Sequence, residues 1–598
     1  MKQIAPHIAE AVAEYVIELG RTRLLDTVSA CGNVASVNEE LRRLTGVRQF
    51  FPDDESLGEF RRVLTQGATA EPRASREWGD FQTPPDLADR VCNYLVKTGI
   101  SPRVIIEPTC GAGNLVLAAL KAFPAAGLVY GVEIQSKYEW HLKLALLSEA
   151  WCGRYFLAEI ELRQDDIFTH RFSDEMFRAQ DILIIGNPPW VTSAELGTLN
   201  AGNLPAKRNV KALNGLDAIT GKSNFDIGEF VLLRMLDLFS KQRGTLAMLC
   251  KNSVIKNIVE ALPQRQYEVS NIRALKIDAS REFGAAVDAS LLVMDMGAST
   301  PTFTCQAATL GHPDRVSRTF GWMRNRFVSN VREYEAIAEL DGKSPLVWRQ
   351  GLKHDCARIM ELDAQGDHWV NGDGEVADVE GEWVYGLLKS SDLRQFEVGT
   401  ARKRVIVTQR RLDEDTTGLQ KSAPKLWEYL VRNSEHFERR KSSIYRGRPR
   451  FAIFGIGDYS FAAYKVAISG LYKEPRFSLV LPIDGRPLLL DDTCYLLSFD
   501  AYPDALFTAS LLNSQVVKQF LQSVVFADAK RPYTKQVLMR IDLVQVASRL
   551  SWDALEASWA EIGYKPRMPV SMSDFEEYQR RLLKVGASQS DLQIGLGI

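Results

Sequence analysis

The sequence predicts an α/β fold built on a parallel, doubly wound sheet, with a small helical region before it and a mixed α+β part after it. Three observations carry this. Short apolar runs at 104–106, 128–132 and 181–185 are separated by segments of helical periodicity. The run Asp181-Ile182-Leu183-Ile184-Ile185 is apolar without alternation, as in a strand buried on both faces. A glycine turn stands directly between the first strand and the following helix, the position where such sheets bind ligands. The expected divisions are 1–75, 76–300 and 301–598.

Taken in order, Ile8 to Ile17 place apolar residues at helical spacing, and the helical region breaks at Ala70-Glu71-Pro72-Arg73. Val104-Ile105-Ile106 is a β-branched run that stops at Glu107-Pro108, and Leu115 to Phe123 carries a helical pattern. Leu128 to Val132, Asp181 to Ile185, Thr245 to Leu249 and Ala289 to Met294 read as further strands. Strands alternating with helices imply parallel pairing. Past residue 300 the regularity fades, turn residues are frequent and basic residues gather at 402–404, 410–411 and 439–450. No fixed-period repeat or low-complexity tail is visible.

The bulk numbers exclude several classes. Apolar content of 45% and charged content of 25% are those of an ordinary globular protein. A net charge of −2 means that any nucleic-acid surface must come from local clustering. The eight cysteines form no C-x-x-C pair, which argues against a zinc knuckle or a disulfide framework and for a reduced, cytoplasmic compartment; no metal site is expected. The N-terminus lacks a signal-peptide pattern, and no run of about 18 apolar residues suggests a membrane span.

Glu107-Pro108-Thr109-Cys110-Gly111-Ala112-Gly113 links the first strand to its helix, and Gly111 and Gly113 allow a tight turn and close approach to a ligand. Glu133 ends the next strand, about 20 residues on, where nucleotide-binding folds place an acid against ribose hydroxyls. Val116 stands where a third glycine would support a pyrophosphate, so a cofactor without phosphates is favoured; a strand–helix turn without a ligand is the alternative. Gly215 to Ser223 imitates a phosphate loop but has five residues between its glycines and no preceding strand, and reads as a mobile loop.

Asn187-Pro188-Pro189-Trp190 ends the buried strand. Two prolines fix φ and remove two backbone donors. What remains is a rigid turn of acceptors, the Asn187 side-chain oxygen and the Pro188 carbonyl, which can hold an NH2 group through both hydrogens. Trp190 offers a π face to a planar base.

These segments together resemble the gamma class of type II DNA amino-methyltransferases. Phe81-Gln82-Thr83-Pro84 resembles that family's N-terminal cofactor motif, Glu107 to Gly113 its cofactor loop, and Glu133-Ile134 its ribose and adenine contacts. In Asp165-Asp166-Ile167-Phe168, Asp166 is the better match to the acid that binds the cofactor's adenine amino group. Asn187 to Trp190 matches the catalytic motif, with Asn187 also bordering the cofactor. Ser223 to Ile227 resembles the start of the following helix, and Phe283 the second aromatic against the flipped base. The resemblance covers roughly 76–300. It implies a Rossmann-like class I methyltransferase domain with a seven-stranded, mostly parallel sheet, and S-adenosyl-L-methionine as cofactor. It further implies methylation of the N6 amino group of an adenine flipped out of double-stranded DNA, within a restriction-modification or related defence system.

N4-cytosine methylation stays open, as do, at lower weight, an RNA or protein-glutamine substrate and a catalytically silent specificity module. No Pro-Cys dipeptide exists to serve a cytosine-C5 mechanism. The part 301–598 is expected to be a target-recognition domain, with Arg439, Arg440, Lys441, Arg446, Arg448, Lys530 and Arg531 as candidate DNA contacts; Lys207, Arg208, Lys211 and Lys222 are further candidates on the 197–224 segment. No nuclease motif is visible, so a restriction endonuclease would be a separate chain, and a monomer is expected.

Overall fold

The computed structural model describes residues 6–30, 32–66, 81–191, 226–366, 368–412 and 414–594. The chain divides into two compact units, 1–327 and 328–598. The first unit opens with four helices, α1 (Pro6–Leu19), α2 (Arg21–Ser29), α3 (Val34–Thr45) and α4 (Asp54–Gln66). Then come α5 (Pro85–Lys97), β1 (Val104–Glu107), α6 (Asn114–Ala122), β2 (Leu128–Glu133), α7 (Ser136–Trp151), β3 (Glu159–Gln164), α8 (Asp174–Arg178) and β4 (Ile182–Gly186). After 226 follow α9 (Ile227–Phe239), β5 (Gly244–Lys251), α10 (Asn252–Ala261), β6 (Val269–Ile277), α11 (Ala279–Phe283), β7 (Ala289–Met296), β8 (Thr304–Thr309), β9 (Arg318–Met323) and β10 (Arg326–Val328).

The strands form one ten-stranded sheet in the order β10-β9-β8-β6-β7-β5-β4-β1-β2-β3. The neighbours from β3 to β5 are parallel, and β7 runs antiparallel between β5 and β6. The sheet is thus ten-stranded and not the seven-stranded one expected; β3-β2-β1-β4-β5-β7-β6 is only part of it. β8 adds to β6 in parallel and β9 to β8 antiparallel, so the sheet runs past the expected division at 300. The chain leaves β1 toward β2 and β3, then returns to β4 on the other side of β1. This is a topological switch point, and the carboxyl ends of β1, β2, β3 and β4 open onto it.

β4 and β7 are buried along nearly their whole length, as their unbroken apolar sequences require. β3 is different: only Ile160 is fully buried, while Glu159 and Glu161 pair with Arg48 at 2.7 and 2.5 Å. Those partners come from the N-terminal helical region, which belongs to the first unit. Val47 bridges Ile160 at the sheet edge, and the buried Lys143 of α7 donates to the Phe50 carbonyl at 2.6 Å. The expected break at 70–73 lies outside the described residues.

The second unit holds two five-stranded sheets. One has the order β11-β20-β17-β18-β15, from β11 (Arg349–Gln350), β15 (Glu397–Val398), β17 (Tyr464–Ser469), β18 (Phe477–Val480) and β20 (Cys494–Phe499). The other has the order β13-β12-β16-β14-β19, from β12 (Glu361–Gln365), β13 (His368–Val370), β14 (Val384–Leu388), β16 (Lys403–Ile406) and β19 (Leu489–Leu490). Helices including α12 (Pro424–Arg432), α13 (Tyr502–Leu512), α14 (Gln515–Val524) and α15 (Trp552–Glu561) complete the mixed α+β architecture. Among the described residues no helix is long and apolar enough to cross a membrane.

Gly113 shows how the sequence fixes the turn between β1 and α6. It caps α6 with φ of +84°, and a Cβ there would collide with the Leu142 side chain of α7. Gly113→Ala is expected to destabilise the protein by about 1–3 kcal/mol in chemical denaturation; unchanged stability would mean that this packing does not constrain the turn.

Candidate active site

At the switch point lies a cavity of about 440 Å³. Its walls come from the segment before α5 (Phe81, Gln82, Thr83), the ends of β1 and β2 with their loops (Glu107, Thr109, Gly111, Glu133, Ile134), the segment after β3 (Asp165, Asp166, Ile167, Phe168) and the turn after β4 (Asn187, Pro188, Pro189). Most of the predicted cofactor and catalytic residues thus meet in one place. Pro108 and Gly113 stand behind the lining, and their roles are in packing: Pro108 lies against Gly186, and Gly113 over Leu142.

The loop after β1 is held from two sides. Glu133 accepts from the backbone N–H of Gly111 and of Gln135, both at 2.8 Å. Gln82 accepts from the Ala112 N–H at 2.8 Å, and Asn114 donates to the Thr83 carbonyl at 2.8 Å. Gln82 and Asn114 were not singled out by sequence, although Gln82 sits inside the Phe81–Pro84 motif. On the far wall, Asp165 is committed to its surroundings: it accepts from the Asp166 N–H at 2.8 Å and contacts His170 Nδ1 at 2.7 Å. Asp166 uses one oxygen for the Phe168 N–H at 2.9 Å. That leaves Asp166 the better able to accept from a ligand.

The turn after β4 is equally constrained. Asn187 donates through Nδ2 to the Phe81 carbonyl at 2.9 Å, while its Oδ1 is buried and has no partner among the described residues. Glu107 Oε2 and Thr109 Oγ1, on the same walls, are also buried without a partner. Unpaired buried polar atoms are costly, so three in one cavity mark it as built for a ligand. The start of α9 holds the turn from outside. The Ile227 N–H donates to the Val191 carbonyl at 2.9 Å, and Asp226 caps α9 through the Gly228 N–H at 3.0 Å while pairing with Lys251 of β5 at 2.7 Å. Burial raises the Asp226 carboxyl pKa, and Lys251 opposes that rise. Lys251 carried no motif signal; only its place at the end of β5 reveals it.

The expectation of an open Trp190 face is not met. The indole is only 5% exposed, donates to the Leu249 carbonyl at 3.4 Å, and packs with Phe283 and Phe81 at ring-centroid distances of 4.9 and 5.8 Å. A strand-end tryptophan is drawn into the core by its large apolar area. Phe81 and Phe283, half-buried and 6.1 Å apart, are the rings that retain exposed surface.

Among the described residues, the cavity lining includes four acidic residues, Glu107, Glu133, Asp165 and Asp166, and no lysine, arginine or histidine. A phosphate-bearing cofactor is disfavoured by that charge, and a cationic one is favoured. Burial, with Glu133 beside it, pushes the Glu107 carboxyl well above the usual carboxylate range.

No family model matches the chain. It is 38% identical over 475 residues to the type II methyltransferase M.NspV of Nostoc sp. (strain ATCC 29411 / PCC 7524), a match spanning 79% of this chain and 97% of that protein. The chain belongs to the type II methyltransferases. Among solved structures it is similar to the type IIL restriction-modification enzyme MmeI, determined in complex with DNA, at a TM-score of 0.48 and 12% identity over 84% of this chain and 72% of that one. It is also similar to the type IIG restriction endonuclease BpuSI, at a TM-score of 0.35 and 14% identity over 97% and 77%.

The cofactor of this methyltransferase is S-adenosyl-L-methionine. The residues present fit it: a sulfonium and an ammonium suit an acidic cavity, and the unpaired Glu107 and Thr109 oxygens are acceptors for its donors. The second unit is less free to engage a polyanion at the expected places. Arg440 is drawn inward, donating to the carbonyls of Ala452 at 2.7 Å and Arg450 at 2.9 Å with its guanidinium over the Tyr445 ring. Arg439 pairs with Glu435 at 3.0 Å, and the half-buried Arg531 donates to the Asp492 carbonyl at 3.3 Å. Lys441, Arg446, Arg448 and Lys530 are exposed. Lys207, Arg208, Lys211 and Lys222, with the 215–223 near miss and Ser223 to Phe225, lie outside the described residues.

A bound cation favours the ionised form of a neighbouring acid. S-adenosylmethionine binding is therefore expected to release a proton from Glu107, whose carboxyl pKa is pushed upward by burial and by Glu133, and Glu107→Gln to diminish that release. Calorimetric titration in buffers of different ionisation heat measures it; a binding enthalpy independent of buffer would contradict this electrostatic reading.

Proposed function

We propose that this methyltransferase methylates the N6 amino group of an adenine rotated out of double-stranded DNA. The observation that carries the proposal is Asn187: its Nδ2 is pinned to the Phe81 carbonyl while its Oδ1 stays buried and unpaired on the cavity wall. When bound, S-adenosylmethionine supplies a methyl group made electrophilic by its sulfonium. Asn187 Oδ1 and the Pro188 carbonyl accept the two hydrogens of the amino group, which draws the nitrogen lone pair out of ring conjugation. Pro188 and Pro189 keep the turn rigid, so little reorganisation accompanies the reaction. Phe81 and Phe283 provide ring surface for the base, with Trp190 as their backing. Glu133 and Ile134 serve the cofactor's ribose and adenine, and Asp166 with Ile167 the adenine amino end. Asparagine at position 187 favours adenine over cytosine N4.

In this reading the first unit supplies catalysis, with the helical region 1–75 at its start, and the second unit, 328–598, selects the DNA sequence, with exposed Lys441, Arg446, Arg448 and Lys530 on its surface. The enzyme is the modification partner of a separately encoded restriction endonuclease. Asn187→Ala is expected to lower methyl transfer about 100- to 1,000-fold while cofactor affinity stays within about tenfold. Single-turnover transfer and equilibrium cofactor binding separate the two; undiminished turnover would overturn the assignment.

A further inference from the structure

The second unit contains a larger cleft, about 1110 Å³, whose lining contrasts with the acidic cofactor cavity. It runs along residues 391–402, which include β15 at the edge of its sheet, and is closed by Arg476, by Lys518 of α14 and by the segment from the end of α15 to Arg567. Five of its lining residues are cationic: Arg394, Arg402, Arg476, Lys518 and Arg567. Two are neutralised in place, Arg402 by Asp392 at 2.6 Å and Arg567 by Glu397 at 2.7 Å. Glu397 is further engaged by the Tyr564 hydroxyl at 2.8 Å, so it has little capacity for another cation. Arg476 donates to the Arg394 carbonyl, which places these two arginines together. Among the described residues no carboxylate pairs with Arg394, Arg476 or Lys518, and Glu561 is the one lining acid outside the neutralised pairs.

We infer that this cleft holds the phosphodiester backbone of the DNA, with Arg394 and Lys518 as phosphate contacts. Clustered cations without acidic partners are the electrostatic footprint of a polyanion site. The arginines at 439–440 and 450, by contrast, are spent on Glu435, on Glu438 and on backbone carbonyls. Phosphate contacts position the duplex without reading it, so these residues set affinity and register, not sequence preference.

The inference rests on the proposed DNA substrate, and the test separates the two. Binding of the full chain to duplex DNA is measured by fluorescence anisotropy across a salt series, for the wild type and for Arg394→Ala combined with Lys518→Ala. Among the described residues neither side chain makes a hydrogen bond or ion pair, so thermal stability and cofactor binding serve as controls and stay unchanged. Removing one phosphate-binding cation lowers the slope of log K against log salt by about 0.9. The double variant is therefore expected to lose nearly two units of slope and about tenfold or more in affinity at low salt, equally on cognate and unrelated duplexes. Unchanged slope and affinity in the variant, with a wild type that binds and methylates DNA, would overturn the cleft alone. A wild type that neither binds nor methylates duplex DNA would overturn the substrate proposal and the cleft with it. Loss confined to the cognate duplex would mean that these residues read bases, contrary to the inference.

Discussion

The hydrogen bond from Asn187 Nδ2 to the Phe81 carbonyl joins two parts of the chain that the site cannot do without. One is the turn at the end of β4; the other is the segment that leads into α5 and covers the cofactor loop. An asparagine side chain free to rotate could present either its donor or its acceptor end to an incoming amino group. Tying down the donor end leaves only the acceptor pointing at the cavity. The same segment brings Gln82 onto the Ala112 N–H, so one stretch of chain orients both the acceptor of the Asn187 turn and the loop after β1. The switch-point topology makes the arrangement possible by ending β1 and β4 side by side.

Charge separates the cavity of the first unit from the cleft of the second. Among the described residues, the cavity of the first unit is lined by carboxyl groups and by no basic side chain, and the elevated Glu107 carboxyl records what it costs to crowd acids in a buried space. The cleft of the second unit carries cations in excess. A chain with net charge of −2 thus achieves opposite local fields by placement, not by composition. A sulfonium cofactor and a polyanionic substrate call for that division.

The first unit was legible where the signal is local. β1, β2, β4, β5 and β7 are nearly unbroken apolar runs, and the glycine turn and Asn-Pro-Pro-Trp motif stand at their ends. β3 was missed because it is an edge strand whose glutamates answer to Arg42 and Arg48, residues more than a hundred positions away. β8 and β9 were missed because their half-exposed residues carry no clear period. Trp190 and Arg440 misled for a shared reason: sequence shows that a ring or a guanidinium is present, not that the fold has already used it. Arg440 satisfies backbone carbonyls, and Trp190 fills core space beside Phe81 and Phe283. Lys251 and the cleft cations were invisible because their meaning lies in what does or does not face them.

The central claim is that the Asn187 turn presents acceptors to the amino group of an adenine in DNA. Its most direct test is transfer from methyl-labelled S-adenosylmethionine to unmethylated genomic DNA, followed by nucleoside analysis of the product. The account predicts label in N6-methyladenine at a defined sequence. Label in N4-methylcytosine would contradict the choice of base, and label in RNA or protein with none in DNA would contradict the claim itself.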